Sequence, residues 1–178
     1  MNRLWVLVLL CGFVACKGEL SNTEAGIIVR TDQGVQVRVE VVTPTIARVT
    51  ATCDKRFSER ESLAVLPKSE EVDFSIDSSS EECVRLTTSA MQIAVDRTSG
   101  RVQFFDAAGE PILEEDRREF SPIEVEGDRG YTVRQVFHSP DDEAFYGLGQ
   151  HQSDEFNYKG GVLSQEINST RFPDSDEE

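Results

Sequence analysis

From Gly26 to Phe137 apolar residues fall at alternate positions in short runs, and turn-forming residues interrupt them about every 8–12 positions. Residues 27–30 open the series. Residues 31–34 predict a turn with Gly34 at a position that favours positive φ. Val35, Val37, Val39 and Val41 then alternate with Gln36, Arg38 and Glu40, the period-two pattern of a strand with one face in a core. Pro44 ends that strand, and residues 46–52 predict its hairpin partner. Residues 54–61 read as a charged loop with Phe57 as an anchor, followed by a short apolar run at 63–66 that Pro67 closes.

Alternation returns in residues 72–76, with a polar tip at 78–82 and a returning strand at 84–88. The clearest hairpin follows. Met91, Ile93 and Val95 share a face, residues 96–100 turn, and Val102 and Phe104 come back on the same kind of face. A second turn is expected at 107–110, then a short strand at 111–113. The charge run 114–119 reads as a solvated loop. Ile123 and Val125 lead to a turn at 127–130, and Tyr131, Val133 and Phe137 form a longer strand before Pro140. No stretch keeps a 3.6-residue apolar period, so the pattern predicts an all-β, antiparallel sandwich without helices.

The densest chemistry lies at residues 145–160, FYGLGQHQSDEFNYKG. Gly147 and Gly149 permit a sharp bend beside aromatic anchors. Gln150, His151, Gln152, Asp154 and Asn157 supply donors and acceptors. Spacing alone describes a turn and an edge strand with ordinary polarity, and a loop at the rim of a polar pocket is the other reading. The run resembles the "YGLGQ…NYKG" signature of glycoside hydrolase family 31, in its α-xylosidase and α-glucosidase branch. Weaker likenesses extend over residues 26–160, in the turn phrases at 96–100, 106–109 and 130–133.

That resemblance implies a galactose-mutarotase-like β-sandwich, the domain that precedes a catalytic (β/α)8 barrel in the family. A barrel typically takes about 250 residues, and this chain has 178, so it cannot hold both. The family's catalytic acids are aspartates on barrel loops, one in a Trp-x-Asp-Met-type motif. The sole tryptophan here is Trp5, so no catalytic residue is carried over. The resemblance instead implies Gln150, His151, Asp154, Asn157 and Tyr158 as candidates for contact with an α-linked oligosaccharide. Alternatively, Phe145, Tyr146, Phe156 and Tyr158 dock the sandwich on the barrel, its expected packing partner. Asp141, Asp142, Glu143, Asp154 and Glu155 are carboxylates that so acidic a chain supplies by composition. No cofactor and no metal are expected.

The formal net charge of −15 argues against a nucleic-acid partner, which needs clustered Lys and Arg, and suits a neutral glycan better than a phosphosugar. The first residues read as a targeting segment. Arg3 precedes a short apolar run, and Phe13-Val14-Ala15-Cys16 resembles a bacterial lipobox. The expected division is a lipoprotein signal peptide at 1–15, a lipidated Cys16 opening a tether to residue 25, the sandwich at 26–160, and a truncated linker with an acidic tail at 161–178. The membrane would then be met through the lipid alone, in the periplasm or at the outer membrane. Cys53 and Cys83 remain as thiols, paired or free. Two functions fit: the non-catalytic N-terminal domain of an exported family 31 α-glycosidase, or a stand-alone surface lipoprotein that binds glycans without cleaving them.

Overall fold

The computed structural model describes residues 18–58, 72–147 and 156–160. The stretch read as a targeting segment, with Cys16, the apolar run 63–66 and the residues from 161 onward lie outside them, as do Gln150, His151 and Asp154. The chain divides into two compact units at His138/Ser139.

The first unit is all-β among the described residues. Strands β1 (Glu19–Thr23), β2 (Gly26–Arg30), β3 (Gln36–Thr43) and β4 (Ile46–Thr52) form a four-stranded antiparallel meander in chain order. Strands β5 (Ser75–Asp77), β6 (Cys83–Thr87), β7 (Met91–Asp96), β8 (Val102–Asp106), β9 (Pro111–Val125) and β10 (Asp128–Phe137) form a second meander of six. The two sheets share one core. Ile27, Val29, Val37, Val39 and Val41 from the smaller sheet meet Val84, Leu86, Met91, Ile93, Val95 and Val102 from the larger. These are the in-facing members of the alternations read from the sequence, and nine of the core side chains are below 2 % exposed, the density expected between packed sheets.

Turns hold the meander in register. Gly34, Gly100 and Gly109 all take positive φ at the expected bends. At the β7–β8 turn one Asp96 carboxylate oxygen accepts from the Thr98 amide (3.1 Å), the Ser99 amide (2.6 Å) and the Ser99 hydroxyl (2.7 Å). Burial pushes the Asp96 carboxyl up, but the Ser99 hydroxyl, the Ser99 and Thr98 amides and Arg101 together hold it below the ordinary carboxylate range. A lowered folded-state pKa contributes stability above the unfolded value and loses it as pH falls through the folded one. Asp96→Asn is therefore expected to be less stable than wild type at neutral pH, and the gap in urea midpoint closes as pH drops below about 4. Thr88 joins the two layers. Its hydroxyl donates to the Pro44 carbonyl at 2.6 Å and accepts from the Met91 amide at 3.0 Å, bringing the β3–β4 turn to the β6–β7 turn.

Three expectations are corrected. Part of the stretch read as a tether folds: Glu19–Thr23 is β1 and pairs with β2, from Glu19 opposite Arg30 to Thr23 opposite Gly26. Its entry needs a glycine, since a Cβ on Gly18 would stand 2.3 Å from the Arg97 carbonyl oxygen. The charge run 114–119 is not a loop but the middle of the 15-residue β9. The turn expected at 127–130 lies further upstream. Glu126 (φ 51°) and Gly127 (φ 90°) form the two-residue connection, positive at both positions, as a tight hairpin requires.

Candidate functional site

Two places hold organised polar groups. The first is the signature run in the second unit. Its neck is closed by backbone and side chain together. The Tyr158 amide donates to the Phe145 carbonyl at 2.9 Å, and the Asn157 Oδ1 accepts from the amides of Phe145 and Lys159, each at 3.0 Å. The Lys159 ammonium donates to the Pro140 carbonyl. Tyr146 and Phe156 lie against each other, ring centroids 4.9 Å apart and tilted by 46°. Gly147 and Gly160 take positive φ where the chain bends.

Of the five proposed sugar-contact residues, Asn157 and Tyr158 are described, and both stand in this neck. The Asn157 amide oxygen is committed to two backbone donors, so its position in the signature has a structural cause: it ties residue 145 to residues 157–159. Phe145, Tyr146 and Phe156 are exposed, Phe156 at 82 %.

The second place is in the sandwich and was not foreseen. Glu115, in the charge run, is 2 % exposed. Its Oε2 accepts from the Val102 amide at 3.0 Å and from Arg118 Nη2 at 2.5 Å, and its Oε1 accepts from Gln135 Nε2 at 2.9 Å. The cause is local. β8 and β9 pair only from Gln103–Glu114 to Phe105–Pro111, while β9 and β10 shift register between Val136 and Phe137. The Glu115 carboxylate takes the place of a ladder partner for the Val102 amide, which a buried N–H requires. Arg118 then neutralises the buried charge, with its own side chain 8 % exposed.

Beside this cluster a groove of about 400 Å³ opens between the two sheets. Ala47, Val49 and Ala51 of β4 form one wall; Phe104, Leu113, Phe120, Val133 and Phe137 of β8–β10 form the other. Among the described lining residues there is no Asp or Glu. Two opposed carboxyl groups, which glycoside hydrolysis ordinarily needs, are therefore not found in it. Among the described residues no three His, Cys, Asp or Glu side chains converge as metal ligands. Cys53 and Cys83 are free, half-buried thiols, on the segment after β4 and on β6 respectively. Burial, and then Asp54, pushes the Cys53 thiol up, away from reactive thiolate chemistry.

The fold and these sites define a class: an all-β sandwich with a braced loop, and with no acid–base pair in its groove. The family model of the glycosyl hydrolase 31 N-terminal galactose mutarotase-like domain matches residues 36–169, and the chain belongs to that family. Among solved structures it is similar to the GH31 α-xylosidase from Xanthomonas citri, at 35 % identity and a TM-score of 0.65 over 82 % of this chain. It is also similar in fold to a GH31 α-xylosidase from a soil metagenome, solved with xylose, at 24 % identity and a TM-score of 0.66 over 80 % of this chain. The chain spans 15 % of the first of these structures and 24 % of the second.

Proposed function

We propose that this chain is the non-catalytic N-terminal domain of an exported α-glycosidase, and that it works by packing against the catalytic part of the enzyme. The observation that carries the reading is the family match over residues 36–169 together with a sandwich whose groove holds no carboxylate among its described lining residues. The proposed parent activity is hydrolysis of α-linked xylose, to which the name of the 35 %-identical α-xylosidase points, or of α-linked glucose, which the resemblance of the signature run to the α-xylosidase and α-glucosidase branch adds. Export with a lipid on Cys16, to the periplasm or the outer membrane, belongs to the same proposal and is supported by the apolar run after Arg3 and the lipobox-like residues 13–16.

Docking is favoured over direct sugar contact at the signature run. The Asn157 oxygen is spent on the loop neck, while Phe145, Tyr146 and Phe156 present apolar surface that suits a protein neighbour. The purified chain is expected to run unretarded through gels containing xyloglucan or starch, and to release no nitrophenol from nitrophenyl α-xyloside. Retardation by either polymer would favour the glycan-binding reading instead.

A further inference from the structure

Gly18, two positions after Cys16, is fixed in the fold. It is buried, and a Cβ on it would stand 2.3 Å from the Arg97 carbonyl oxygen and 2.9 Å from that of Arg30. The chain therefore enters the sandwich at the end that carries the β2–β3 and β7–β8 turns. Gly100 belongs to the same end, since a Cβ on it would meet Val37 and Thr31 at 2.8 and 3.1 Å. The opposite end is marked by the Thr88 bond to Pro44 and by the β8–β9 turn, which follows the Met91–Asp106 pair.

The β9–β10 hairpin projects from the Gly18 end. β9 pairs with β8 only over residues 111–114, so residues 116–125 run on past Val102 with β10 alone beside them. Alternation decides what the hairpin shows on each side. Phe120 and Val133 line the groove, which puts Pro122, Tyr131 and the opposed pair Glu124 and Arg129 on that side. Ile123 and Val125 stand on the other, 45 % and 58 % exposed. Ile123 lies across Gly130, where a Cβ would be 3.9 Å from its Cγ2. The tip thus carries a small aliphatic face, bordered by Asp128 opposite Val125.

We propose that this end of the sandwich rests on the bilayer surface, and that the Ile123–Val125 side of the hairpin tip lies in the headgroup layer. The proposal rests on the reading of Cys16 as the lipidated residue. Two residues reach at most about 7 Å, so a lipid on Cys16 brings Gly18 and the turns around it to the headgroups. β1 is paired with β2 from Glu19 onward and supplies no slack. A gap so narrow admits no further domain between this end and the membrane. A lipid and an apolar protein element on one side are two signals of the kind that together give stable attachment. Glu126 and Asp128 keep the tip at headgroup depth, since a carboxylate is costly to bury in hydrocarbon. With a chain charge of −15, ethanolamine headgroups, which carry an ammonium, suit it better than a purely anionic surface.

The test uses the full chain, expressed with its own first residues in an exporting bacterium and reconstituted into vesicles of phosphatidylethanolamine and phosphatidylglycerol. Mass spectrometry reads the lipid on Cys16. The comparison is a variant with a Gly/Ser spacer of about ten residues between Lys17 and Gly18, whose ends average about 18 Å apart. Hydrogen exchange at the Asp32, Gln33 and Gly127 amides is expected to be about tenfold slower or more at native spacing than with the spacer. The Thr45 and Ala108 amides, at the opposite end, are expected to exchange equally in both. Ile123→Ser with Val125→Ser is expected to leave the melting temperature unchanged, because both side chains are exposed, and to remove the protection at Gly127. Equal exchange at every site in two lipidated proteins would overturn the membrane-resting end and leave the lipid reading intact. Protection at Asp32 and Gln33 without protection at Gly127 would overturn the hairpin contact. A chain with no lipid on Cys16 would overturn the lipid reading, and the membrane-resting end with it.

Discussion

Gly26→Ala is expected to lose about 3 kcal/mol or more of folding stability, the largest effect of any methyl-sized change in the sandwich. Gly26 sits at the start of β2, opposite Thr23 on one side and Glu40 on the other. A Cβ there would stand 2.0 Å from the Val39 carbonyl oxygen and 3.0 Å from its carbon. The obstacle is the backbone of a paired strand, so no rotamer change relieves it. β2 must part from β3, which opens the layer holding Ile27, Val29, Val37 and Val39. Since domains of this size are stable by about 5–15 kcal/mol, the variant is expected to show a markedly lower urea midpoint and weak soluble expression. A midpoint within experimental error of wild type would mean that β2 and β3 are further apart than described.

Glu115→Ala is the second. It strands Arg118, nearly buried, without its counter-charge and leaves the Val102 amide and the Gln135 amide without their acceptor. Breaking a buried ion pair from one side costs about 3–5 kcal/mol. The groove beside the cluster admits water to Arg118, so a value of about 3 kcal/mol is expected. Glu115→Gln keeps an oxygen for the Val102 amide and is expected to lose less. The ordering Ala below Gln below wild type in chemical denaturation distinguishes a carboxylate that organises the β8–β9 junction from one that merely fills space. Equal midpoints for all three would remove Glu115 from that role.

Period-two alternation made most of the sandwich legible. Val37, Val39 and Val41, then Met91, Ile93 and Val95, are the core because each faces the same way from a strand that the next turn folds back. Gly34, Gly100 and Gly109 announced their bends for the physical reason that makes glycine cheap at positive φ. Glu115 and Arg118 were hidden because a charge run is usually solvated, and no local rule says that one of its carboxylates will replace a missing strand partner. The two-residue turn at Glu126–Gly127 was missed for a similar reason. A Glu at positive φ carries no sequence signal, whereas the flanking pairs Ile123/Val125 and Tyr131/Val133 were visible as strands. In the signature run, the resemblance led to the family, while Asn157 serves the loop before it serves any ligand.

Turnover by the chain alone tests most directly whether it is a companion domain rather than an enzyme. The 178-residue protein, purified to homogeneity, is incubated at high concentration with nitrophenyl α-xyloside and nitrophenyl α-glucoside. The expected result is release of nitrophenol indistinguishable from buffer. Hydrolysis that co-purifies with the chain and disappears when Asp141 and Asp142 are changed to Asn would place a catalytic pair within these residues and contradict the account.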